Sequence, residues 1–288
     1  MSFGSVSALI AAAEEMPLWQ AVLEDDCRDR NVSREESFAK MSGLWQAMGR
    51  SVEEYNPDRR SPSGLSGGQG QRMAQAADTL CGPFLQSVIA TALKVGEQNA
   101  CMGRIVAAPT AGASGVMPAV LLPLQSRENL SDEEMVRCLY VAAGFGQVIA
   151  ARASISGAEG GCQAEVGSAS AMAAAALVHA RGGTAQQMAA ACAMALQNIM
   201  GLVCDPVAGL VEAPCVKRNV MGAMNALSCA DMALAGIAGA IPCDEVIDAM
   251  AAVGRAMPAA LRETGEGGLA ATPTGRKIAE RQSGTGTG

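Results

Sequence analysis

Residues 168–180 read SASAMAAAALVHA, a run built almost wholly of alanine and other small side chains. Alanine loses no rotamer freedom in a helix and offers too little surface to hold a strand in a sheet, so this segment can only be helical. Its neighbours can then approach closely, because little projects from it. The same bias runs through the chain: aromatic residues make up 3%, against 33 glycines and 17 methionines. Bulky strand formers are scarce and period-two alternation is hard to find. The expected fold class is all-α, a single compact multi-helix domain over residues 1–279, with a small, polar, frayed tail over 280–288.

Start signals mark several helices. Ser33 with Glu36 makes a capping box ahead of Phe38, Met41, Trp45, Met48 and Val52, which share one helical face. Ser131 with Glu134 precedes Val136, Leu139, Tyr140 and Ala143 in the same way, and Thr184 with Gln187 precedes Met188, Ala191, Cys192, Ala195, Leu196 and Ile199. A fourth helix is expected after Pro242, carrying Val246, Met250, Val253 and Met257.

Between these helices lie glycine-rich breaks: SPSGLSGGQG at 61–70, APTAGASGVMP at 108–118, SGAEGGC at 156–162, CDPVAG at 204–209 and EAPCVKRN at 212–219. Backbone N–H groups at a helix start are unpaired and attract anions. No break ends in Gly-Lys-Ser/Thr and no G-x-G-x-x-G follows a plausible strand, so a small carboxylate suits these donors as well as a phosphate. The glycines alternatively serve only to turn the chain.

A net charge of −7 without a basic run argues against nucleic acid as a partner. The N-terminal stretch lacks a basic region ahead of its short apolar run and does not read as a secretory signal. Two uncharged stretches, 105–126 and 182–204, are interrupted by prolines or amides and are read as buried segments of a soluble protein rather than membrane spans. Ten cysteines without a signal peptide point to a reducing, cytoplasmic setting. Cys192 and Cys229 sit in Ala- and Met-rich runs and read as core. Cys162, Cys204 and Cys215 each adjoin a Gly or Pro break beside charged or amide residues, but Cys81, Cys101 and Cys243 also lie near breaks. Context alone therefore leaves about six candidates, and no C-x-x-C narrows them.

Four segments, APTAGASGVMPAVL, SGAEGGCQAEVGSASAMAAAALV, GLVCDPVAGLVEAPCVKRN and LRETGEGGLAATPTG, resemble, in order, the signature stretches of iron–sulfur-dependent L-serine dehydratases. The resemblance covers nearly the whole chain and matches the catalytic α portion of that family. It implies a [4Fe–4S] cluster on Cys162, Cys204 and Cys215, with one iron left open as a Lewis acid, and deamination of L-serine to pyruvate and ammonia without pyridoxal phosphate. A related lyase acting on threonine or cysteine, or a non-catalytic helical subunit, are the alternatives.

The base that removes the α-proton is not fixed by the sequence. Lys217 is a candidate base, or a cation that neutralises cluster or substrate charge, the role favoured here. Glu159 and Glu165 bracket Cys162 and are the carboxylate candidates, each alternatively a helix cap or a neighbour's partner. Ser63, Ser66, Thr110 and Ser114 are candidate substrate-binding hydroxyls, each equally suited to capping. The sole histidine, His179, is expected to interact with the end of its helix rather than to act as a base. Because family members also carry a smaller β-type portion, fused or separate, and this chain opens in helical character, a separate β subunit is the expected partner. The isolated chain is expected to self-associate.

Overall fold

A computed structural model describes residues 3–284. Helices α1 (Val6–Glu15), α2 (Leu18–Arg30) and α3 (Arg34–Glu53) come first, followed by α4 (Gln69–Ala74), α5 (Gly82–Ala100) and α6 (Val116–Glu128). Next are α7 (Asp132–Ala153), the single turn α8 (Gly157–Gly160), α9 (Ser168–Ala180) and α10 (Ala185–Ile199). The chain continues through α11 (Cys215–Leu234), α12 (Cys243–Ala256) and α13 (Pro273–Gly284). Among the described residues there is no strand, only an isolated bridge between Cys204 and Arg262, and the fold is all-α.

The alanine-rich helix α9 is the axis of the domain. Every residue from Ser168 to Val178 is buried, and α6, α7, α10 and α11 pack around it. Small residues on the neighbours make this possible: a Cβ on Gly146 of α7 would fall 2.7 Å from Met172 Sδ, and one on Gly222 of α11 would fall 2.8 Å from Val166 Cγ1. Helices α2 and α3 lie on α7, α12 lies on α10 and α7, and α5 lies along α11 with α4 packed on α5.

The three capping boxes form as the sequence predicts, each with both reciprocal hydrogen bonds. Helix α12 starts after Pro242 with Val246 and Met250 buried. By length and composition α7 could cross a membrane, yet 67% of its most apolar window is buried inside the protein, as a core helix would be. Helix α13 extends to Gly284, into the stretch expected to fray, and Gln282 Nε2 donates to the Ser63 carbonyl at 3.1 Å. The remainder of that stretch, 285–288, lies outside the described residues.

Two glycines test the packing in opposite directions. Gly70 lies against the α5 backbone, where a Cβ would sit 2.9 Å from Lys94 N and 3.1 Å from Lys94 Cα. Gly43 is exposed on α3 with nothing within 4 Å. In urea unfolding, Gly70→Ala should lose about 1–3 kcal/mol through overpacking. Gly43→Ala should instead gain about 0.5–1 kcal/mol, because glycine gives up more backbone entropy in a helix than alanine.

Candidate active site

Cys162 owes its position to the buried start of α9. The turn α8 ends at Gly161, whose φ of +76° suits glycine and whose Cβ would meet Leu202 O at 2.9 Å. Cys162 follows, 2% exposed, and residues Gln163–Gly167 form a π-helical turn that runs into α9. The wider turn is held by Gln163, 1% exposed, whose amide donates to Met250 O at 3.1 Å and accepts from Gly201 N at 2.8 Å. Its backbone N–H reaches Leu202 O at 3.0 Å, so the 200–204 strap is laid directly against Cys162.

Cys204 lies on that strap and is clamped from the other side. Its N–H donates to Leu261 O at 2.9 Å and its carbonyl accepts from Glu263 N at 2.8 Å, which forms the isolated bridge. The Asp205 carboxylate accepts from Leu269 N at 2.7 Å, and Gly268, at φ +57°, leaves room for it: a Cβ there would fall 2.4 Å from Asp205 Oδ2. The glycine-rich segment 261–271 is thus folded onto the Cys204 strap.

Cys215 is the first residue of α11. One turn later Asn219, 1% exposed, donates to Cys215 O at 2.9 Å and to Gly112 O at 2.8 Å, and accepts from Gly115 N at 2.8 Å. It caps α6 from another helix and draws the 108–118 break to the thiol.

The three thiols line one cavity with Glu165 and Glu263, walled by Gly112, Val166, Pro206 and Val211. Its free centre is about 10 Å³, room for roughly one water, so a larger occupant requires rotation of the cysteine side chains or retreat of the exposed Glu263. Burial pushes the Cys162 thiol up to about 11 and Cys215 to about 12, and raises Cys204 further still, with Glu165 and the neighbouring thiols adding to it. Cys204 Sγ lies 3.8 Å from Glu165 Oε2. The Glu165 carboxyl is itself raised, first by burial and also by Glu263, while Thr110 and Cys204 favour its charged form. Glycine makes this crowding possible: a Cβ on Gly157 would stand 2.6 Å from Glu165 Oε2 and 3.1 Å from Cys204 Sγ.

Among the described residues, no three His, Cys, Asp or Glu side chains gather closely enough for one metal ion. A single zinc draws its thiolates to about 2.3 Å from one point, whereas a cluster spreads its ligands over several irons. Three buried thiols lining one cavity are the donor type that either an ion or a cluster takes. The buried hydroxyl of Ser114 has no hydrogen-bond partner, and that of Thr110, near enough to Glu165 to favour its charged form, does not meet hydrogen-bond geometry with it. They are polar atoms without an assigned role beside, respectively, the Asn219-capped turn and Glu165.

The other residues named from sequence scatter. Glu159 is exposed on α8 and Lys217 is exposed on α11; neither lines the cavity. Ser63 does not line it either: its hydroxyl donates to Glu212 Oε1 at 2.7 Å, alongside Ser61, which donates to Glu212 Oε2 at 2.7 Å. Ser66 is buried, and its carbonyl accepts from Ser61 N at 3.0 Å. His179 occupies the last turn of α9 beside Trp19 and Arg137, with a pKa lowered by burial and by Arg137, so the charged form that would favour a helix C-terminus is disfavoured. The anion expected at the 61–70 break is supplied by the protein. Glu97, 1% exposed on α5, accepts from the N–H groups of Gly67, Gln69 and Gly70 at 2.9–3.1 Å and from Tyr55 Oη at 2.5 Å. Gln163, Asp205, Arg218 and Asn219 were not singled out from sequence, although Asp205, Arg218 and Asn219 lie inside quoted breaks and all are polar residues beside a candidate thiol.

The comparisons with known proteins bear on the same segments. A family described as "Serine dehydratase alpha chain" matches residues 13–270. The chain is 48% identical to a "Probable L-serine dehydratase, alpha chain" of Bacillus subtilis, covering 97% of this chain and 95% of that protein. It is 43% identical to an "L-serine dehydratase, alpha chain" of Peptoniphilus asaccharolyticus, with 91% of each covered. An "L-serine dehydratase" of Mycobacterium tuberculosis is 47% identical over 62% of this chain but only 40% of its own length. The matched span takes in the cysteine strap, the π-helical turn and the segment folded onto them, and this chain belongs to the serine dehydratase alpha chain family.

Proposed function

We propose that the chain is the catalytic α subunit of an L-serine dehydratase, holding a [4Fe–4S] cluster on Cys162, Cys204 and Cys215 and converting L-serine to pyruvate and ammonia. The observation that carries this is the convergence of three buried thiols, from segments 42 and 11 residues apart by number, on one cavity that also holds Glu165. When bound, such a cluster supplies a Lewis-acidic iron that eases departure of hydroxide from the β-carbon.

The chain's own residues account for the rest of the chemistry. Glu165 faces the cavity and is the carboxylate best placed to take the α-proton, whereas Glu159 and Lys217 face solvent. The hydroxyl of Thr110, next to Glu165, is suited to orient that carboxylate or the substrate's own. Loss of the α-proton and the β-hydroxide leaves aminoacrylate, which tautomerises to an imine and takes up water to release ammonia and pyruvate. Ten cysteines without a disulfide among the described residues suit a reducing, cytoplasmic setting.

Changing Cys162, Cys204 or Cys215 to Ser should each abolish or destabilise the brown chromophore of anaerobically reconstituted protein, whereas Cys192→Ser, buried between α9 and α12 neighbours, should keep it. Equal loss in the Cys192 variant removes the assignment. Glu165→Gln should retain the chromophore but lower serine turnover by roughly 10²–10⁴, the usual worth of a positioned base. Turnover within tenfold of wild type would pass the role to another group.

A separate β subunit completes the enzyme in this reading, since the cavity has room for little more than one water and opens beside the exposed Glu263 and Val211. A partner surface there would exclude water once substrate enters. The α chain alone should bind its cluster with little serine turnover and gain activity on addition of the β chain. Undiminished turnover by the α chain, unchanged by the partner, would contradict it.

A further inference from the structure

Arg218 sits where the start of α11 meets the Cys204 strap. It is one helical turn after Cys215 on α11, so its side chain rises from the same face. Its guanidinium reaches back to the strap on both sides of Cys204: Nη1 donates to Val203 O at 2.8 Å, and Nη2 pairs with Asp205 Oδ1 at 2.8 Å. The side chain is 14% exposed and its Asp205 partner 4%. A carbonyl and a carboxylate, one on each side of Cys204, thus hold the fork on the strap.

We propose that Arg218 is the positioning residue that holds the Cys215 and Cys204 segments in register, one guanidinium tying the α11 start to both chain neighbours of Cys204. A planar guanidinium presents two separate nitrogens to the two acceptors at fixed angles, whereas a lysine ammonium has only one. The same Asp205 that pairs with Arg218 accepts from Leu269 N, so the register extends into segment 261–271.

This inference rests on the cluster reading for its significance, but its test does not. Full-length wild type, Arg218→Met and Arg218→Lys are prepared anaerobically and compared by amide hydrogen exchange, then reconstituted and compared by iron release to a chelator and by visible circular dichroism. Exchange over 202–206 should accelerate on the order of tenfold in both variants, the worth of one charge-assisted hydrogen bond, with α7 unchanged. Iron release should accelerate similarly and the dichroic spectrum should change, because sulfur orientation has loosened. Should Arg218→Met fail to fold, Asp205→Asn weakens the same tie and should move exchange in the same direction. Unchanged exchange at 202–206, or full restoration by lysine, overturns the proposal. A wild type that takes up no cluster removes the cluster reading, and the exchange comparison then decides the role of Arg218 alone.

Discussion

A helix buried along its whole upper length must begin inside the protein. Every residue of α9 from Ser168 to Val178 is buried, so the chain reaches its start through the interior, where unpaired backbone groups are costly. Satisfying them organises the site. The π-helical turn and the Gln163 side chain bring the 200–204 strap to the helix start, and the strap in turn binds the 261–271 segment. Cys162 and Cys204 meet because the polar groups around the beginning of α9 have to be paired with something, and the strap is what pairs them.

The same need accounts for the glycine-rich breaks. A break before a helix exposes N–H donors, and two of the five satisfy them with the protein's own side chains. Glu97 fills the 61–70 break and Asn219 caps the 108–118 break. Ser61 and Ser63 then fasten the first break to Glu212, three residues before Cys215. Donors suited to an anionic ligand are instead spent on holding α11 against α5 and α6. On the proposed reading, substrate recognition falls to the groups left over around the thiols: Glu165, Thr110 and the walls of the cavity.

Much of the fold was legible because it rests on local patterns. Capping boxes are written in four consecutive residues, and the apolar stripes behind them repeat at the helical period. The all-α class followed from what the chain lacks, since few residues favour a strand. The site was legible through motif resemblance for its cysteines, but less so for its polar residues. Ser63 and Ser66 lie in a glycine-rich stretch that looks like a ligand loop, and nothing local reveals that Glu212, 149 residues beyond Ser63, takes the Ser63 hydroxyl. The π-helical turn was hidden for a related reason: its cause is the long-range bonds of Gln163 to Met250 and Gly201, not a propensity within 163–167.

The choice between Lys217 and Arg218 turns on a shorter-range argument. On α11, Cys215, Asn219 and Gly222 are buried, at spacings of four and three residues, and this defines the inward face. Arg218, three residues after Cys215, falls on its border, with a side chain long enough to reach the strap. Lys217, two residues after Cys215, points about 200° round the helix and is exposed. Proximity in sequence made Lys217 the natural cation for the thiols, but helical geometry assigns that place to its neighbour. The chemistry differs with it: an ammonium near the cavity would be a mobile point charge with a pKa open to adjustment, whereas a guanidinium is always charged and fixed by its partners. On the proposed reading, a site built this way keeps its cation as scaffold and leaves proton transfer to the carboxyl of Glu165.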